Sequence, residues 1–229
     1  WLAIRLRPRG RAPGDSAVLD VYRRALESNT LLAVLGPALA LGVLAGMSAT
    51  SEVLPVLAWI NAVPFGKVDP VFGLDYKFFV FELPVWQSLL SFLLAAVAFG
   101  LIASGVVHFA MGALRAGRSA TRPQLAPNAR VHLSMLIGAL LVLYGLQCLL
   151  DRFALMLTQG TLFTGVHYTD DHARIGAKLV MAVISFLVAG LFFANPIIKR
   201  TIYPAAALVL MVISGLILTL IYPAIVQSV

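Results

Sequence analysis

The sequence predicts an all-α integral membrane protein: a bundle of five transmembrane helices with its N-terminus in the cytoplasm and its C-terminus outside. Three observations carry this prediction. Hydrophobic residues make up 60% of the 229 residues and charged residues 12%, whereas roughly a quarter of a soluble domain is charged. Five apolar stretches are each about 20 residues long, which is the length that crosses a bilayer core of about 30 Å. Arginine and lysine are concentrated in alternate connectors, and this alternation sets the orientation.

The apolar stretches define the five predicted spans. A chain in lipid has no water to satisfy its backbone N–H and C=O groups, so an apolar run of this length is expected to be helical. We treat residues 1–229 as one transmembrane helical domain. The spans are predicted at residues 31–50, 85–113, 131–150, 175–194 and 202–225.

The connectors between the spans alternate in charge. Three segments are assigned to the cytoplasm: the one before span one and the connectors after spans two and four. Together they carry twelve basic and three acidic residues. The segments assigned to the outside, counted together with Lys178 at the outer end of span four, carry five basic and seven acidic residues. Lys and Arg are retained on the cytoplasmic side of membrane proteins. The net charge of +7 is therefore explained by topology, and we expect no nucleic-acid partner.

The connector between spans one and two, residues 51–84, is predicted to be an extracytoplasmic aromatic loop. Asp69-Pro70 and Phe72-Gly73 are turn signals. Further aromatic residues lead into span two, and aromatic rings with a polar edge favour the headgroup zone. Two interpretations stay open. The segment is either an aromatic belt that anchors span two, which we favour, or a docking surface for another domain or for lipid.

A polar cluster lies just before span four, within the stretch HYTDDHAR. Imidazole and carboxylate groups this close together could bind a divalent metal. The alternative is helix capping, because an Asp suits the N-cap position and an acidic side chain in the first turn complements the helix dipole. We favour capping, and we expect neither a metal nor any other cofactor. The residues of this possible polar cluster are His167, Asp170, Asp171 and His172.

Span three carries an intramembrane polar face. Tyr144, Gln147 and Asp151 are spaced three and four residues apart, which places them on one side of a helix. Polar residues within lipid usually face the bundle interior. We expect Gln147 to hydrogen-bond a neighbouring helix and Asp151 to pair with Arg152 at the outer boundary. This face offers no further polar residue towards the cytoplasm until His132, so transport through these spans alone is not expected.

Histidines and arginines mark the cytoplasmic ends of spans two and three. His108 and His132 either form a pH-sensitive pair or, as we favour, bind lipid phosphate or water. The connector between these spans is rich in arginine and has no acidic residue. Basic side chains near a membrane surface are attracted to anionic headgroups by about 1 kcal/mol each. The residues expected to contact lipid phosphate are Arg115, Arg118, Arg122 and Arg130.

Small residues indicate where helices could approach each other closely. Gly42 and Gly46 form a GxxxG pattern in span one, and Gly100 and Ser104 are four residues apart in span two. Such spacing allows close packing of helices in lipid. Cys148 is the only cysteine, so the sequence allows no disulfide within the chain. The sequence also lacks the motifs of phosphate loops, zinc proteases and serine hydrolases, and we assign no catalytic residue.

Several motifs carry a resemblance to a known family. They are FGKVDPVFGLDYKFFVFELP at residues 65–84, ARVHLS at 129–134, LDR at 150–152 with FTG and YTD downstream, and YPAIVQ at 222–227. In order and spacing these motifs are similar to uncharacterised protein family 0182 of bacteria, over essentially the whole chain. The resemblance implies two further spans before Trp1 and a large extracytoplasmic domain after Val229, so that this chain provides the last five of seven spans. The family has no settled activity, and the resemblance supplies no catalytic residues.

Together these patterns favour a multi-pass protein of the bacterial cell membrane that is not an enzyme. We expect a non-catalytic scaffold or accessory subunit of a larger membrane assembly, because no functional ionisable residue is predicted at mid-depth in the bilayer. The alternative is a transporter or lipid-handling component of the cell envelope. The expected partners are membrane lipids, including anionic headgroups, and other membrane protein subunits.

Overall fold

The computed structural model describes residues 2–5, 28–111, 114–115, 124–157, 174–198, 200 and 202–222. Helices dominate this part of the chain, which confirms the all-α class. Five helical segments are long and apolar enough to cross a membrane, judged by length and composition. They are Val34–Ile60, Phe78–Ala110, Pro127–Ala154, Ile175–Ile198 and Ile202–Thr219.

These segments are built from α-helices extended by tighter or wider turns. The α-helices of the described ranges are α1 (Leu2–Arg5), α2 (Thr30–Ala49), α3 (Val53–Ile60), α4 (Leu83–Ala110), α5 (Pro127–Ala154), α6 (Ile175–Ile198) and α7 (Ile202–Leu216). They are extended by 3-10 turns at Thr50–Glu52 and Leu155–Leu157 and by π-helical turns at Phe78–Glu82 and Ile217–Ile221. Two short strands pair antiparallel between α4 and α5: β1 (Leu114–Arg115) and β2 (Gln124–Leu125).

The first two helical segments do not end where the sequence predicts. A 3-10 turn continues α2 into α3, so helical structure extends past residue 50 to Ile60. Pro55 does not prevent this, because it lies in the first turn of α3, where a missing N–H costs least. The second segment begins at Phe78 with a π-helical turn. The predicted 51–84 loop is therefore reduced to a connector of residues 61–77, which we call the 61–77 connector.

The third and fourth segments are also longer than predicted. α5 extends four residues beyond both predicted ends of span three. Pro127 occupies its first position, where the fixed φ of proline suits a helix. Asp151 and Arg152 therefore belong to the last turn of α5 rather than to the following connector. α6 continues past the predicted end of span four to Ile198.

The chain groups into two compact units: residues 1–50 with 97–137, and residues 51–96 with 138–229. The first unit contains α2, the C-terminal part of α4 and the beginning of α5. The second unit contains the 61–77 connector, the beginning of α4, most of α5, and α6 with α7. The single transmembrane domain over residues 1–229 stays a prediction.

In the second unit, α5 and α6 pack closely through two glycines. A Cβ placed on Gly138 would lie 2.7 Å from Cε1 of Phe193, and a Cβ placed on Gly145 would lie 2.7 Å from Cε1 of Phe186. Seven residues separate the two glycines, which is about two helical turns. Both rings therefore enter the same side of α5, at positions where any larger residue would collide with them.

The remaining core of this helix pair is small and apolar, apart from a few polar groups. Ser185 Oγ on α6 donates a hydrogen bond to the carbonyl oxygen of Leu141 on α5 at 2.7 Å. Hydrogen bonds between helices in membranes contribute about 0.6 kcal/mol on average. The other buried residues of α6 are Ala177, Met181, Ala182, Val188, Ala189, Phe192 and Asn195.

The glycines identified by their spacing are not the ones that pack. Around a Cβ built on Gly42, Gly46 or Gly100, the described residues place no atom within 4 Å. The described residues therefore make no close contact at these positions, and packing there against another helix stays a prediction. GxxxG spacing identifies a face of small residues but does not identify what covers that face.

Candidate functional site

An ion pair joins α5 to α6 near the end of α5. Lys178 Nζ lies 2.6 Å from Asp151 Oδ2, and both side chains are partly exposed. Asp151 stands in the last turn of α5 and Lys178 in the first turn of α6. Hydrogen bonds between two charged groups are shorter and roughly twice as strong as those between neutral groups. The pair therefore ties the end of one helix to the beginning of the next.

Gln147 belongs to the same cluster. Its Nε2 donates a hydrogen bond to Asp151 Oδ1 at 2.9 Å, within α5. The structure thus gives Gln147 a different partner from the neighbouring helix that we predicted, and the contact with α6 passes through Asp151. The Oε1 atom of Gln147 is buried and has no hydrogen-bond partner among the described residues. Both carboxylate oxygens of Asp151 are engaged, one by Lys178 and one by Gln147.

Arg152 does not take the role predicted for it. Its guanidinium lies over the ring of Phe153, with Cζ 4.5 Å from the ring centroid, while Asp151 pairs with Lys178. The side chains of Asp151 and Arg152 leave the helix about 100° apart, and the carboxylate of Asp151 reaches α6 while the guanidinium of Arg152 does not pair with it. Of the predicted polar face, the structure brings Gln147 and Asp151 together, and Tyr144 is exposed.

Next to the ion pair, Phe153 fastens the 61–77 connector to the end of α5. Its ring centroid lies 4.8 Å from that of Phe72 and 5.2 Å from that of Phe78, both edge-to-face. The ring of Phe79 is buried, and its centroid lies 6.3 Å from that of Phe72 and 5.3 Å from that of Phe78. Aromatic pairs of this geometry add about 0.5–1.5 kcal/mol beyond the burial of their area. The end of α5 is therefore held on one side by α6 and on another by the connector.

Asp75 organises the 61–77 connector from within. Its Oδ1 accepts hydrogen bonds from the backbone N–H of Lys77 at 2.8 Å and of Phe65 at 3.1 Å, and its Oδ2 accepts one from Gly66 at 2.9 Å. Hydrogen bonds to a carboxylate favour its charged form. The N–H of Lys77 is the main cause that holds the pKa of Asp75 below its ordinary value of 3.8, and Phe65 and Gly66 add to this effect.

Asp69 closes a second turn of the connector. It is fully buried, and its Oδ2 accepts hydrogen bonds from the backbone N–H of Val71 at 3.0 Å and of Phe72 at 2.6 Å. The backbone N–H of Gly73 donates to the carbonyl oxygen of Asp69 at 2.8 Å, and Gly73 has a φ of +66°, which glycine adopts without strain. The predicted turn at Asp69 is confirmed. Both acidic side chains of the connector are directed at its own backbone.

In the first unit, the two predicted histidines contact each other. His108 Nε2 lies 3.1 Å from His132 Nδ1, and His108 is fully buried. A fully buried imidazole cannot reach a lipid phosphate, so this part of the interpretation is wrong for His108, while water as a partner stays a prediction. The alternative of a pair has the observed geometry. One ring donates and the other accepts in such a hydrogen bond. The pair joins α4 to α5, and its sensitivity to pH stays a prediction.

The arginines expected to bind lipid phosphate are only partly described. Arg130 lies in the first turn of α5 and is half-buried. Arg115 belongs to β1, and Arg118 and Arg122 lie outside the described residues. Contact of these four side chains with lipid phosphate stays a prediction.

The predicted polar cluster of His167, Asp170, Asp171 and His172 lies outside the described residues, and its role in helix capping stays a prediction. Across the ranges that the structure does describe, no group of three or more His, Cys, Asp or Glu side chains could hold a metal ion. At the end of α5, Lys178 and Gln147 engage both carboxylate oxygens of Asp151. In the connector, Asp69 and Asp75 accept hydrogen bonds from backbone N–H groups. This arrangement is suited to holding helices and a connector in place.

Sequence reasoning missed two residues of this site, Lys178 and Phe153. A signal existed for Lys178, because its charge is opposite to that of Asp151 and both residues lie at the outer ends of consecutive predicted spans. Phe153 offered no such signal, since an aromatic residue at a membrane boundary is typical of an aromatic belt. Its role depends on the position of the 61–77 connector, which is distant in sequence.

Comparisons with known proteins find relatives over the whole chain. The family model described as Uncharacterised protein family (UPF0182) matches residues 1–229. A UPF0182 protein of Saccharopolyspora erythraea is 36% identical over 231 residues, which cover 100% of this chain and 24% of the relative. A UPF0182 protein of Nocardioides sp. is 37% identical over 230 residues, which cover 100% of this chain and 23% of the relative. A UPF0182 protein of Thermobifida fusca is 36% identical over 230 residues, which cover 100% of this chain and 22% of the relative.

The chain therefore spans about a quarter of the length of the curated relatives that it matches. No solved structure matches this chain.

Proposed function

The chain belongs to an uncharacterised protein family, UPF0182, and from this premise we propose that it is a non-catalytic membrane scaffold. In this proposal the five apolar helices cross the cell membrane of a bacterium. They act as an accessory subunit that holds the parts of a larger membrane assembly together. The role is structural: the helices position connectors and binding faces, and no reaction takes place among them.

The distribution of charge supports an orientation with the 61–77 connector outside and the arginine-rich connector inside, since Lys and Arg are retained in the cytoplasm. The length of α4 supports a placement across the membrane. Trp86 and His108 are 22 residues apart in one continuous helix, which is about 33 Å. This length matches a bilayer core of about 30 Å, with an indole at one boundary and an imidazole at the other.

The observation that supports a scaffold best is the use of the charged groups at the end of α5. Asp151 is neutralised by Lys178 at 2.6 Å and also accepts a hydrogen bond from Gln147. An ionisable residue inside a membrane is by default a candidate for proton or ion transfer. Here, however, Oδ2 of the carboxylate attaches α6 through Lys178 and Oδ1 is held by Gln147 of α5, so the charge stabilises the packing of two helices.

The exposed faces of the first two spans also support a scaffold. In the most apolar stretch of Val34–Ile60 and in that of Phe78–Ala110, no residue is buried by the rest of the chain. Faces of this kind are covered in a membrane by lipid or by the helices of other proteins. A subunit that associates through α2 and α4 makes use of these faces.

The alternative is a transporter or lipid-handling component of the cell envelope, and one observation favours it. The Oε1 atom of Gln147 is buried beside the Asp151–Lys178 pair, and no described residue donates a hydrogen bond to it. A buried acceptor that lacks a donor is a candidate contact for a polar ligand or an ordered water. One such atom does not make a path across the membrane.

Co-purification tests the proposal. The intact protein is extracted in a gentle detergent, and mass spectrometry identifies the proteins and lipids that stay bound. A scaffold predicts a protein partner in a fixed stoichiometric ratio. A protein that runs alone contradicts the subunit proposal, and a single stoichiometric lipid species in place of a protein favours the alternative.

Variants of α2 sharpen this test. Gly42→Leu and Gly46→Leu add bulk where the described residues leave open space, so we expect the variants to fold and to lose part of the bound partner. Leu44→Ile, on the same exposed helix, is the matched control and should retain it.

A further inference from the structure

The exposed surface of the 61–77 connector is apolar. Val63 is 72% exposed and Val68 is 63% exposed, and Phe65 and Val71 are exposed as well. A single exposed apolar side chain is normal in a soluble protein, whereas several together on one short segment indicate a contact surface. We call these four side chains the connector crest.

The connector holds the crest in a defined shape and offers one charge beside it. The carboxylates of Asp69 and Asp75 accept hydrogen bonds from the backbone of the connector. Lys77 Nζ pairs with Glu82 at 3.2 Å. Lys67 is exposed and forms no ion pair with the residues that the structure describes. The exposed surface of the connector is therefore mainly apolar, with the ammonium group of Lys67 beside the crest.

Two aromatic pairs place the crest near the membrane boundary. The rings of Trp59 and Trp86 lie 5.9 Å apart, edge-to-face, and tryptophan is enriched where membrane meets water. Phe65 stacks on Phe81 at 5.9 Å. Phe81 precedes Trp86 by five residues, which is about 7.5 Å of helical rise, and the headgroup zone of each leaflet is about 5–8 Å thick. With Trp86 at the outer boundary, as in the proposed membrane placement, Phe65 lies at the level of the lipid headgroups.

We infer that the 61–77 connector docks onto the outer leaflet, with its crest among the headgroups and upper acyl chains and with Lys67 on an anionic lipid phosphate. The inference rests on the proposed membrane placement of the five helices. An apolar surface with an adjacent cation is the pattern by which interfacial segments bind anionic membranes. The crest also continues the exposed apolar surface of α3, where Ile60 immediately precedes the connector.

Spin labels test this placement. A nitroxide is attached at Val63→Cys or Val68→Cys in the intact protein, reconstituted into vesicles that contain anionic lipid. Its collision rates are measured with oxygen, which concentrates among acyl chains, and with a water-soluble nickel chelate. Phe99→Cys on the exposed side of α4 is the control for lipid, and Arg200→Cys is the control for water. Cys148 is buried and is not expected to react.

The inference predicts more collisions with oxygen than with nickel at Val63→Cys, Val68→Cys and Phe99→Cys, and the reverse at Arg200→Cys. Preference for nickel at both connector positions overturns the inference, because the crest then faces water. Exclusion of both reagents there also overturns it, because the crest is then covered by protein. Preference for nickel at Phe99→Cys contradicts the membrane placement itself, so the two failures are distinguishable.

A charge substitution tests the phosphate contact. In the Val68→Cys background and in anionic vesicles, Lys67→Glu should raise the nickel collision rate by about twofold, because repulsion lifts the connector towards water. Lys67→Arg should leave the rate unchanged, and neither substitution should have an effect in vesicles without anionic lipid. Equal rates for Lys67→Glu and Lys67→Arg in anionic vesicles would remove lipid phosphate from the inference.

Discussion

Two pairs of helices in this chain are long and apolar enough to cross a membrane but differ in what covers them. In the most apolar stretch of Ile175–Ile198, 39% of the residues are buried by the rest of the chain, and 28% in that of Pro127–Ala154. In the corresponding stretches of Val34–Ile60 and Phe78–Ala110 the share is 0%. Apolar composition indicates that a helix prefers lipid to water, but lipid tails and leucine side chains are equally apolar. Composition therefore does not distinguish a helix that faces lipid from one that faces another helix.

The difference between these pairs lies in specific contacts. Between α5 and α6, two phenylalanine rings occupy the space left by Gly138 and Gly145, and a hydroxyl and an ion pair cross between the helices. Gly42 and Gly46 of α2 have open space where a Cβ would stand. Glycine thus makes room for a neighbouring ring in α5, whereas in α2 it leaves a face that the described residues do not cover. Substitutions at these four glycines distinguish the two roles.

The largest effect is expected from filling the two glycine contacts. Gly138→Ala and Gly145→Ala each place a Cβ against a phenylalanine ring, and such overpacking destabilises a core by about 1–3 kcal/mol. The two sites are about 10 Å apart along α5, so their effects should be additive in the double variant. The free energy of unfolding in detergent, measured by titration with a denaturing surfactant, tests this.

The matched controls for the glycine variants are Gly42→Ala and Gly46→Ala. Alanine is a better helix former than glycine by about 1 kcal/mol, so these variants should be neutral or stabilising. Phe186→Leu should recover part of the stability that Gly145→Ala loses, because the smaller side chain makes room for the new methyl group. Equal losses at all four glycines would contradict the contrast between the two helix pairs.

The next largest effect is expected at the ion pair between α5 and α6. Asp151→Asn removes the charge that neutralises Lys178, and we expect a loss of about 1–2 kcal/mol, less than for a fully buried pair because both side chains are partly exposed. Glu82→Gln is the matched control, since the Lys77–Glu82 pair is similarly exposed but longer, at 3.2 Å. Its cost should stay within about 0.5 kcal/mol.

A double-mutant cycle of Asp151→Asn and Lys178→Gln isolates the interaction between these two residues. A coupling free energy of at least about 0.5 kcal/mol is expected. A coupling of zero would mean that the pair does not hold α6 to α5.

A smaller effect is expected for the hydrogen bond that crosses the helix pair. Ser185→Ala removes the donor to the Leu141 carbonyl and should cost about 0.6 kcal/mol. Ser91→Ala, on the exposed side of α4, should change the free energy of unfolding by less than about 0.5 kcal/mol. A greater loss at Ser91 than at Ser185 would reverse the contrast.

The smallest effect concerns the shape of the 61–77 connector and its dependence on pH. Because the folded-state pKa of Asp75 is below its ordinary value of 3.8, its hydrogen bonds stabilise the connector above that value. The stabilisation is lost as the pH falls through the lowered pKa. We expect the amide protons of Phe65 and Gly66 to exchange faster with solvent in strong acid, after correction for intrinsic exchange. Asp75→Asn should remove this pH dependence, and an unchanged pH profile would exclude Asp75 as its cause.

Much of this fold is predictable from the sequence, because crossing a bilayer requires long apolar helices and the basic connectors alternate. Helix ends are less predictable. Pro55 and Pro127 lie outside the predicted spans, but at the beginning of a helix proline is tolerated, so α3 and α5 include them. The aromatic residues that follow Asp75 in the sequence are predicted to belong to an interfacial loop. In the structure this segment is helical from Phe78 onwards.

The candidate site was less predictable, for a physical reason. Sequence spacing identifies residues on the same helix face, and it correctly placed Gln147 beside Asp151. It cannot identify a partner on another element of the structure. Lys178 is the partner of Asp151 and Phe72 is a partner of Phe153, and both are separated from α5 in the sequence. Asp151 and Arg152 are adjacent in sequence and opposite in charge, which suggests an ion pair. On a helix, however, the directions of their side chains differ by about 100°.

The central claim is that five helices cross the membrane with the 61–77 connector and the arginine-rich connector on opposite sides. Its most direct test is labelling of Lys67→Cys and Arg118→Cys with a membrane-impermeant thiol reagent in sealed cells. The account predicts that position 67 reacts from outside and that position 118 reacts only after the membrane is permeabilised. Reaction of both positions from the same side, or of position 118 alone in sealed cells, would contradict it.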